Sequence, residues 1–485
     1  MSPRTIITHA AITTACAALL TLAGCATAPP RAATPSSTSV VVATSVATTP
    51  APFPSTYVAP ATTPTLIRGA TVLTGTGQRL ERTDVALRDG KIVAIGRALT
   101  ADANTRVIDG TGKWVTPGLI DVHSHLGVYP SPGVQAHDDG NEATAPSTAN
   151  VWAEHSIWPQ DPGFETALQG GVTTLQILPG SANLIGGRSV VVKNVHSTTY
   201  QGMKFPDAPQ GLKMACGENP KRVYGSRRLA PATRMGNVAG WRAQWIEAQD
   251  YVREQDAYRA KVAAGVKDAK APKRDLRLET LAGVRRGELR VHHHCYRADE
   301  MATVLDIARE FGYKVTAFHH AVEAYKISNL LADNGVCAAI WADWWAFKME
   351  SYDGIPENLA LVDAAPGGCA IVHSDSEEGI QRLNQEAAKG MAYAARMGRE
   401  ISPEHAILWL TANPAKALGV AARTGTLEVG KAADVVVWSG NPFSVRALTD
   451  QVFIDGAVRF DRSAPRSQPE SDFLLGQPAI AGVTP

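Results

Sequence analysis

Between residues 117 and 423, short apolar runs alternate with helical stretches, and this alternation constrains the fold more than any other feature of the chain. The runs fall at 119–122, 172–178, 212–216, 289–293, 314–318, 336–341 and 369–372. Helical patterns occupy 162–169, 241–264, 298–311, 324–332 and 377–396. Strands alternating with helices predict a parallel α/β architecture. A (β/α)8 TIM-like barrel needs ~250 residues before insertions. The segment 117–423 is longer than that, and the surplus fits insertions around 129–160 and 219–286. Seven runs read as strands; an eighth is ambiguous.

Two small β units flank this segment. In 65–116, Asp89-Gly90 separates two alternating apolar runs, a strong hairpin signal. In 424–462, Val435-Val-Val-Trp438 and Val452-Phe-Ile-Asp-Gly456 read as strands and a turn. Neither unit is large enough to fold alone. The economical arrangement is one composite β-sandwich built from both ends of the chain.

The first residues are not part of a fold. Arg4 precedes an apolar run over 10–23 that is too short to span a bilayer. The run ends in Leu22-Ala23-Gly24-Cys25, which resembles the bacterial lipobox. The resemblance implies that 1–25 is a lipoprotein signal and that Cys25 is lipidated. Ala26 after the cysteine implies the outer membrane, with the body facing the periplasm. Residues 26–64 are almost wholly Ala, Thr, Pro, Ser and Val, with Arg31 the only charge, and read as a tether. The Pro/Ser-rich tail 463–485 reads as flexible.

Composition narrows the partners. With 47 Lys+Arg against 46 Asp+Glu, there is no basic footprint for nucleic acid. A hydrophobic content of 45% excludes a wholly disordered chain. Six cysteines in 485 residues are too few for a disulfide scaffold. Cys216, Cys295, Cys337 and Cys369 lie in or beside apolar runs and read as small buried hydrophobes. An oxidising compartment permits disulfides, but the sequence does not pair them.

Thirteen histidines are distributed with a pattern. Pro117-Gly-Leu-Ile-Asp-Val-His123-Ser-His125 ends an apolar run in two imidazoles of equal strand parity, which project the same way. They lie at the C-terminal end of a strand, where barrel active sites form. His292-His293-His294, His319-His320 and His373-Ser374-Asp375 end three further runs. Imidazoles and a carboxylate converging at strand ends make a metal-site pattern.

The chain resembles the amidohydrolase superfamily of metal-dependent hydrolases over residues 66–460. The resemblance is carried by 117–125, by Gly170-Gly-Val-Thr-Thr174 and by Gly425-Thr-Leu-Glu-Val-Gly-Lys-Ala-Ala-Asp434. Gly180-Ser-Ala-Asn-Leu-Ile-Gly-Gly187 and Gly217-Glu-Asn-Pro-Lys-Arg222 are similar to the imidazolonepropionase-like branch. The family implies a distorted barrel with a composite β-sandwich. It implies a first metal on His123, His125 and Asp375, and a second on His294 and His320, two zinc-like ions in all. His292 shares the parity of His294 and is a candidate for a deeper position. His293 and His319, of opposite parity, are expected to face the helices. For the bridging ligand Glu218 is preferred and a carboxylated Lys213 is the alternative.

The implied chemistry is hydrolysis of an amide-like C–N bond in a small molecule: a cyclic amide, a dipeptide or an N-acyl amino acid. Asp375 then ligates and carries the proton, and His373 is a candidate for substrate contact or for a structural hydrogen bond. Trp341, Trp344 and Trp345 follow the run at 336–341, where barrel loops build pockets, and are candidates for an apolar or aromatic group. Arg222 and Arg234 are candidates for a substrate carboxylate, or simply solvated. The 129–160 insertion, with Asp138, Asp139 and Glu142, is a candidate lid or flank. His196 carries no assignment. The alternatives are a one-metal deaminase or lactone hydrolase of the same superfamily, or a non-catalytic envelope binding protein. Oligomeric state is not legible.

Overall fold

A computed structural model describes residues 52–344 and 346–464. The leader with Cys25, residues 26–51 of the tether, Trp345 and the tail beyond 464 lie outside the described residues.

Five strands come first: β1 (Thr65–Leu73), β2 (Arg79–Arg88), β3 (Lys91–Gly96), β4 (Arg106–Asp109) and β5 (Trp114–Pro117). The barrel strands follow as β6 (Leu119–Ser124), β7 (Val172–Ile177), β8 (Ile185–Lys193) and β9 (Gly211–Ala215). They continue as β10 (Arg290–Cys295), β11 (Val315–His320), β12 (Cys337–Ile340) and β13 (Ala370–Val372). The chain ends in β14 (Val435–Trp438), β15 (Thr449–Ile454) and β16 (Ala457–Asp461).

Strands β6 to β13 form one eight-stranded sheet in sequential order, a distorted TIM-like barrel. Its ends approach where the Asp375 N–H donates to the His123 carbonyl at 3.0 Å and the Ser374 N–H to Asp121 Oδ1 at 3.3 Å. The ambiguous eighth strand is β8, which runs antiparallel to both β7 and β9. The connection 178–184 explains this. It is far shorter than the roughly dozen residues a parallel crossover needs, so the chain turns straight back. Apart from β8, every residue in strands such as β6, β7 and β9 is buried, as expected of a sheet covered on both faces.

The helices cover the outer face. Ala298–Phe311 buries Met301, Val304, Leu305, Ala308 and Phe311, the spacing of one helical face. It ends at Gly312 in the left-handed conformation, φ +70°. The expected helix over 241–264 is Arg234–Ala263, inside the second insertion and capped by the Thr233 side chain, which accepts from the Gly236 N–H. Among the described residues, no helix is long and apolar enough to cross a membrane.

The second sheet has eight strands in the order β16-β15-β14-β5-β1-β2-β3, with β4 beside β1. Both chain ends therefore contribute, with a core that includes Ile67, Val72, Val85, Val435 and Phe453. Asp89-Gly90 and Asp455-Gly456 close its hairpins with positive φ at both residues, as primed turns require.

Two findings depart from the sequence reading. The four cysteines are paired as Cys216–Cys295 and Cys337–Cys369, with Cα separations of 5.2 and 4.5 Å. Neighbouring parallel strands bring them within disulfide reach, a long-range relationship invisible to local pattern. The end of the tether range is also fastened to the body. The Thr56 N–H donates to the Gln201 carbonyl, and the Tyr57 hydroxyl donates to Asp455 Oδ2 at 2.6 Å.

Candidate metal centre

The centre forms at the C-terminal ends of β6, β9, β10, β11 and β13. His123 Nε2 and His125 Nε2 each lie 3.2 Å from Asp375 Oδ1. His123, His125 and Asp375 therefore form one group of donors with the spacing of a metal site, and His123, His320 and His373 form a second. Asp375 reaches this place through a left-handed turn, φ +54°, directly after His373 and Ser374. His320 also turns in through a left-handed residue, at φ +67°. His320 Nδ1 lies 3.8 Å from Asp375 Oδ2.

Burial dictates the protonation of these rings. It pushes His123, His294 and His320 well below the ordinary histidine value, and the nearby Lys213 charge adds to the effect. Burial pushes His373 down to about 3. The imidazoles are therefore neutral at neutral pH and keep the lone pairs that metal ligation needs. Burial tends to raise Asp375, but the hydrogen bond and charge of His125 outweigh it and hold the carboxyl below its usual range. His294 Nε2, His320 Nδ1 and both ring nitrogens of His373 are buried without a hydrogen-bond partner. Buried polar atoms are normally satisfied. A cluster of orphaned neutral imidazole nitrogens beside an ionised carboxylate fits a divalent cation.

The outer support is equally specific. His125 Nδ1 lies 2.9 Å from the Leu178 carbonyl, and His294 Nδ1 lies 2.9 Å from Ser181 Oγ. Both bonds fix ring orientation. Fully buried Asp121 accepts from the His123 N–H and from Ser374, which ties β6 to β13 beneath the site. Burial raises its carboxyl to about 7.

The two bridging candidates sit differently. Glu218 begins the helix Glu218–Gly225, and its Oε1 lies 3.7 Å from Lys348 Nζ. It enters neither donor group among the described residues. Lys213, the alternative, is fully buried in β9 with Nζ 3.2 Å from His123 Nε2. Lys213 pairs in register with inward-facing His292, whereas Gly217 at φ +80° turns the chain before Glu218. Burial pushes the Lys213 ammonium down to about 8.

The other expected residues divide. His293 faces the helices against Trp241, as parity predicts. His319 does not: its Nδ1 lies 2.9 Å from His123 Nδ1 and its Nε2 2.9 Å from His292 Nδ1. His294 lies beside His320, with ring centroids 4.6 Å apart, but belongs to neither donor group. His373 stacks on His123 at 5.2 Å. His196 lies on the surface, 3.4 Å from Glu165. Arg234 is engaged by Glu300 at 3.0 Å and Glu350 at 2.7 Å, and Arg222 is exposed. From the first insertion, Tyr129 packs on His125 at 5.5 Å. Trp341 and Trp344 line the mouth with Tyr296 and Phe347. Sequence reasoning missed the last two; the only signal was their position just past the ends of β10 and β12.

A barrel with neutral imidazoles and a carboxylate gathered at its strand ends has the arrangement of a metal-dependent hydrolase. The Amidohydrolase family profile matches residues 114–462, and the chain belongs to this family, whose members hydrolyse C–N bonds. The chain is 34% identical over 452 residues to Amidohydrolase tasK of Hapsidospora irregularis, covering 85% of this chain and 45% of that protein. The chain thus spans less than half the length of that relative. It is 26% identical to imidazolonepropionase of Alkaliphilus metalliredigens, covering 73% of this chain and 83% of the relative. An amidohydrolase structure from Thermotoga maritima matches with 35% identity and a TM-score of 0.75, covering 82% of this chain and all of that one.

Proposed function

We propose that the chain is a metal-dependent hydrolase that cleaves an amide-like C–N bond in a small cyclic amide, dipeptide or N-acyl amino acid. The carrying observation is that His123 Nε2, His125 Nε2 and Lys213 Nζ meet around Asp375 and His123, each contact at 3.2 Å. His123, His125 and Asp375 would hold one zinc-type ion, and His320 with His294 or His373 a second. Lys213 replaces Glu218 as the proposed bridge, because its buried amine lies 3.2 Å from His123 Nε2 and burial lowers its value, which eases carboxylation. A bound divalent ion lowers the pKa of water from 15.7 to about 7 and polarises the substrate carbonyl.

The protein's residues supply the rest. Asp375, kept ionised by His125, takes the proton of the attacking water as its oxygen bonds to the carbonyl carbon. The same carboxyl returns that proton to the nitrogen as the C–N bond breaks. His373, whose ring nitrogens have no hydrogen-bond partner, would orient substrate where it does not ligate. Purified protein should carry bound metal, and chelation should abolish hydrolysis of such amides. Less than one equivalent of metal, with chelator-insensitive activity, would reject the proposal. The two donor groups share His123, which favours a one-metal reading that metal stoichiometry near one would support.

Export and anchoring at Cys25 are part of the proposal. Leu22-Ala23-Gly24-Cys25 supports it, and so do two disulfides, which belong to oxidising compartments. Incorporation of labelled fatty acid in the producing cell, lost in Cys25→Ser, is the expected result.

A further inference from the structure

Next to the metal centre lies a cavity of about 690 Å³ lined by Tyr296, Trp341, Trp344, Phe347, Asp343 and Asp375. Asp375 belongs to both, so a group in the cavity sits beside the bond being cleaved. This volume lies in the range of sites that enclose a drug-sized molecule, roughly 300–1,000 Å³, and is more than an amide alone would fill. The walls are aromatic and differ in orientation. Trp341 and Trp344 stack at 5.2 Å with planes 22° apart. Tyr296 meets Phe347 edge-on, 6.3 Å away and at 73°. Trp341 is held rigidly, donating from Nε1 to the Ser374 carbonyl at 3.1 Å and packing on His320 at 4.3 Å. Trp344 and Phe347 stay 40% and 57% exposed, which is much aromatic surface to leave in water beside an active site.

The charges facing the cavity are already matched. Asp343 Oδ1 lies 3.1 Å from Lys389 Nζ. Lys348 Nζ sits 4.1 Å above the Tyr296 ring and 3.7 Å from both Glu218 and Glu350. Asp375 is engaged by the histidines. An ionic substituent would lose water here and gain no unmatched partner. An uncharged ring would gain stacking on one wall and edge contacts on the other. Building on the C–N hydrolase reading, we infer that the substrate carries an uncharged aromatic group next to the scissile amide, and that Trp344 and Phe347 select it.

The test uses the full metal-loaded chain and three probes: benzylhydantoin, methylhydantoin and carboxymethylhydantoin. Binding is measured at equilibrium and hydrolysis separately. The benzyl probe should bind about tenfold or more tighter than the methyl probe, with the carboxymethyl probe weakest. Trp344→Ala and Phe347→Ala, both at partly exposed positions, should each cut that preference to roughly threefold or less. Equal binding of benzyl and methyl probes, preference for the carboxymethyl probe, or no binding at all would overturn the inference. Benzyl preference without hydrolysis of any probe supports the cavity's role and rejects the C–N hydrolase reading. Hydrolysis without benzyl preference does the reverse.

Discussion

His123 Nδ1 and His319 Nδ1 lie 2.9 Å apart at the floor of the centre, both fully buried. One nitrogen must donate. With Nε2 in the donor group of His125 and Asp375, metal ligation would need its lone pair, which assigns the hydrogen to Nδ1. His319 then accepts at Nδ1 and donates from Nε2 to His292 Nδ1 at 2.9 Å. One ligand's tautomer thus orders two further rings down the barrel axis.

This chain makes His319 a positioning residue. His319→Ala should weaken metal retention about 10–100-fold, the usual cost of losing an outer hydrogen bond to a ligand. His319→Gln, which can still accept from His123, should recover part of it. Competition with a chelator, read as bound metal per chain, checks this. Unchanged retention in His319→Ala would refute the role.

The bridging assignment separates Lys213 from Glu218. Lys213→Ala should lower metal occupancy and reduce kcat by about a hundredfold or more, on the scale of removing an electrostatic catalytic group. Small carboxylates added to that variant should restore part of the rate. Glu218→Gln disturbs only a contact with Lys348, and its kcat should stay within a few-fold. The opposite ranking would return Glu218 to the centre.

His319 and Lys213 also mark where sequence reading stopped. The apolar runs, the hairpin at Asp89-Gly90 and the imidazoles at strand ends are local patterns, and each is legible within a few residues. The inward face of β11 is not. Ala317 and His319 point inward by parity, and His320 joins them only because its left-handed backbone breaks the alternation. Glu218 stands outside the donor groups among the described residues for a similar reason, since Gly217 redirects the chain. The antiparallel β8 followed from a short connection whose partners were unknown. Cystine pairing and the charge pairs around the aromatic cavity are long-range relations that only the folded chain displays.

The disulfide Cys216–Cys295 closes 79 residues between the ends of β9 and β10, enclosing the second insertion. Loop-closure entropy for such a length amounts to about 4 kcal/mol. Cys216 lies three residues after Lys213, and Cys295 directly follows His294. The Cys216→Ser, Cys295→Ser double variant should therefore unfold at lower denaturant concentration and also release metal faster. Cys337–Cys369 closes only 32 residues at the other end of the barrel interior. Its removal should lower stability with little effect on metal release. Parallel denaturation and metal-release curves for the two double variants distinguish these effects.

A pH-dependent contribution to stability is expected away from the centre, at His405. Its Nε2 lies 2.9 Å from both oxygens of Asp363, and that hydrogen bond raises the imidazole above its ordinary value despite partial burial. A raised folded value means that the folded chain holds this proton more tightly than the unfolded chain. The contribution is complete below about pH 6.5, the unfolded value, and fades as pH rises through the folded value. The His405 side chain is 46% exposed, so solvent screening limits the effect to a few tenths of a kcal/mol, roughly. Asp363→Asn should remove it while still accepting from Trp409 Nε1, which donates to Asp363 at 2.7 Å. Denaturant midpoints between about pH 5.5 and 8.5 should then fall more steeply for the unaltered chain than for the variant. Identical slopes would show that the pair contributes nothing.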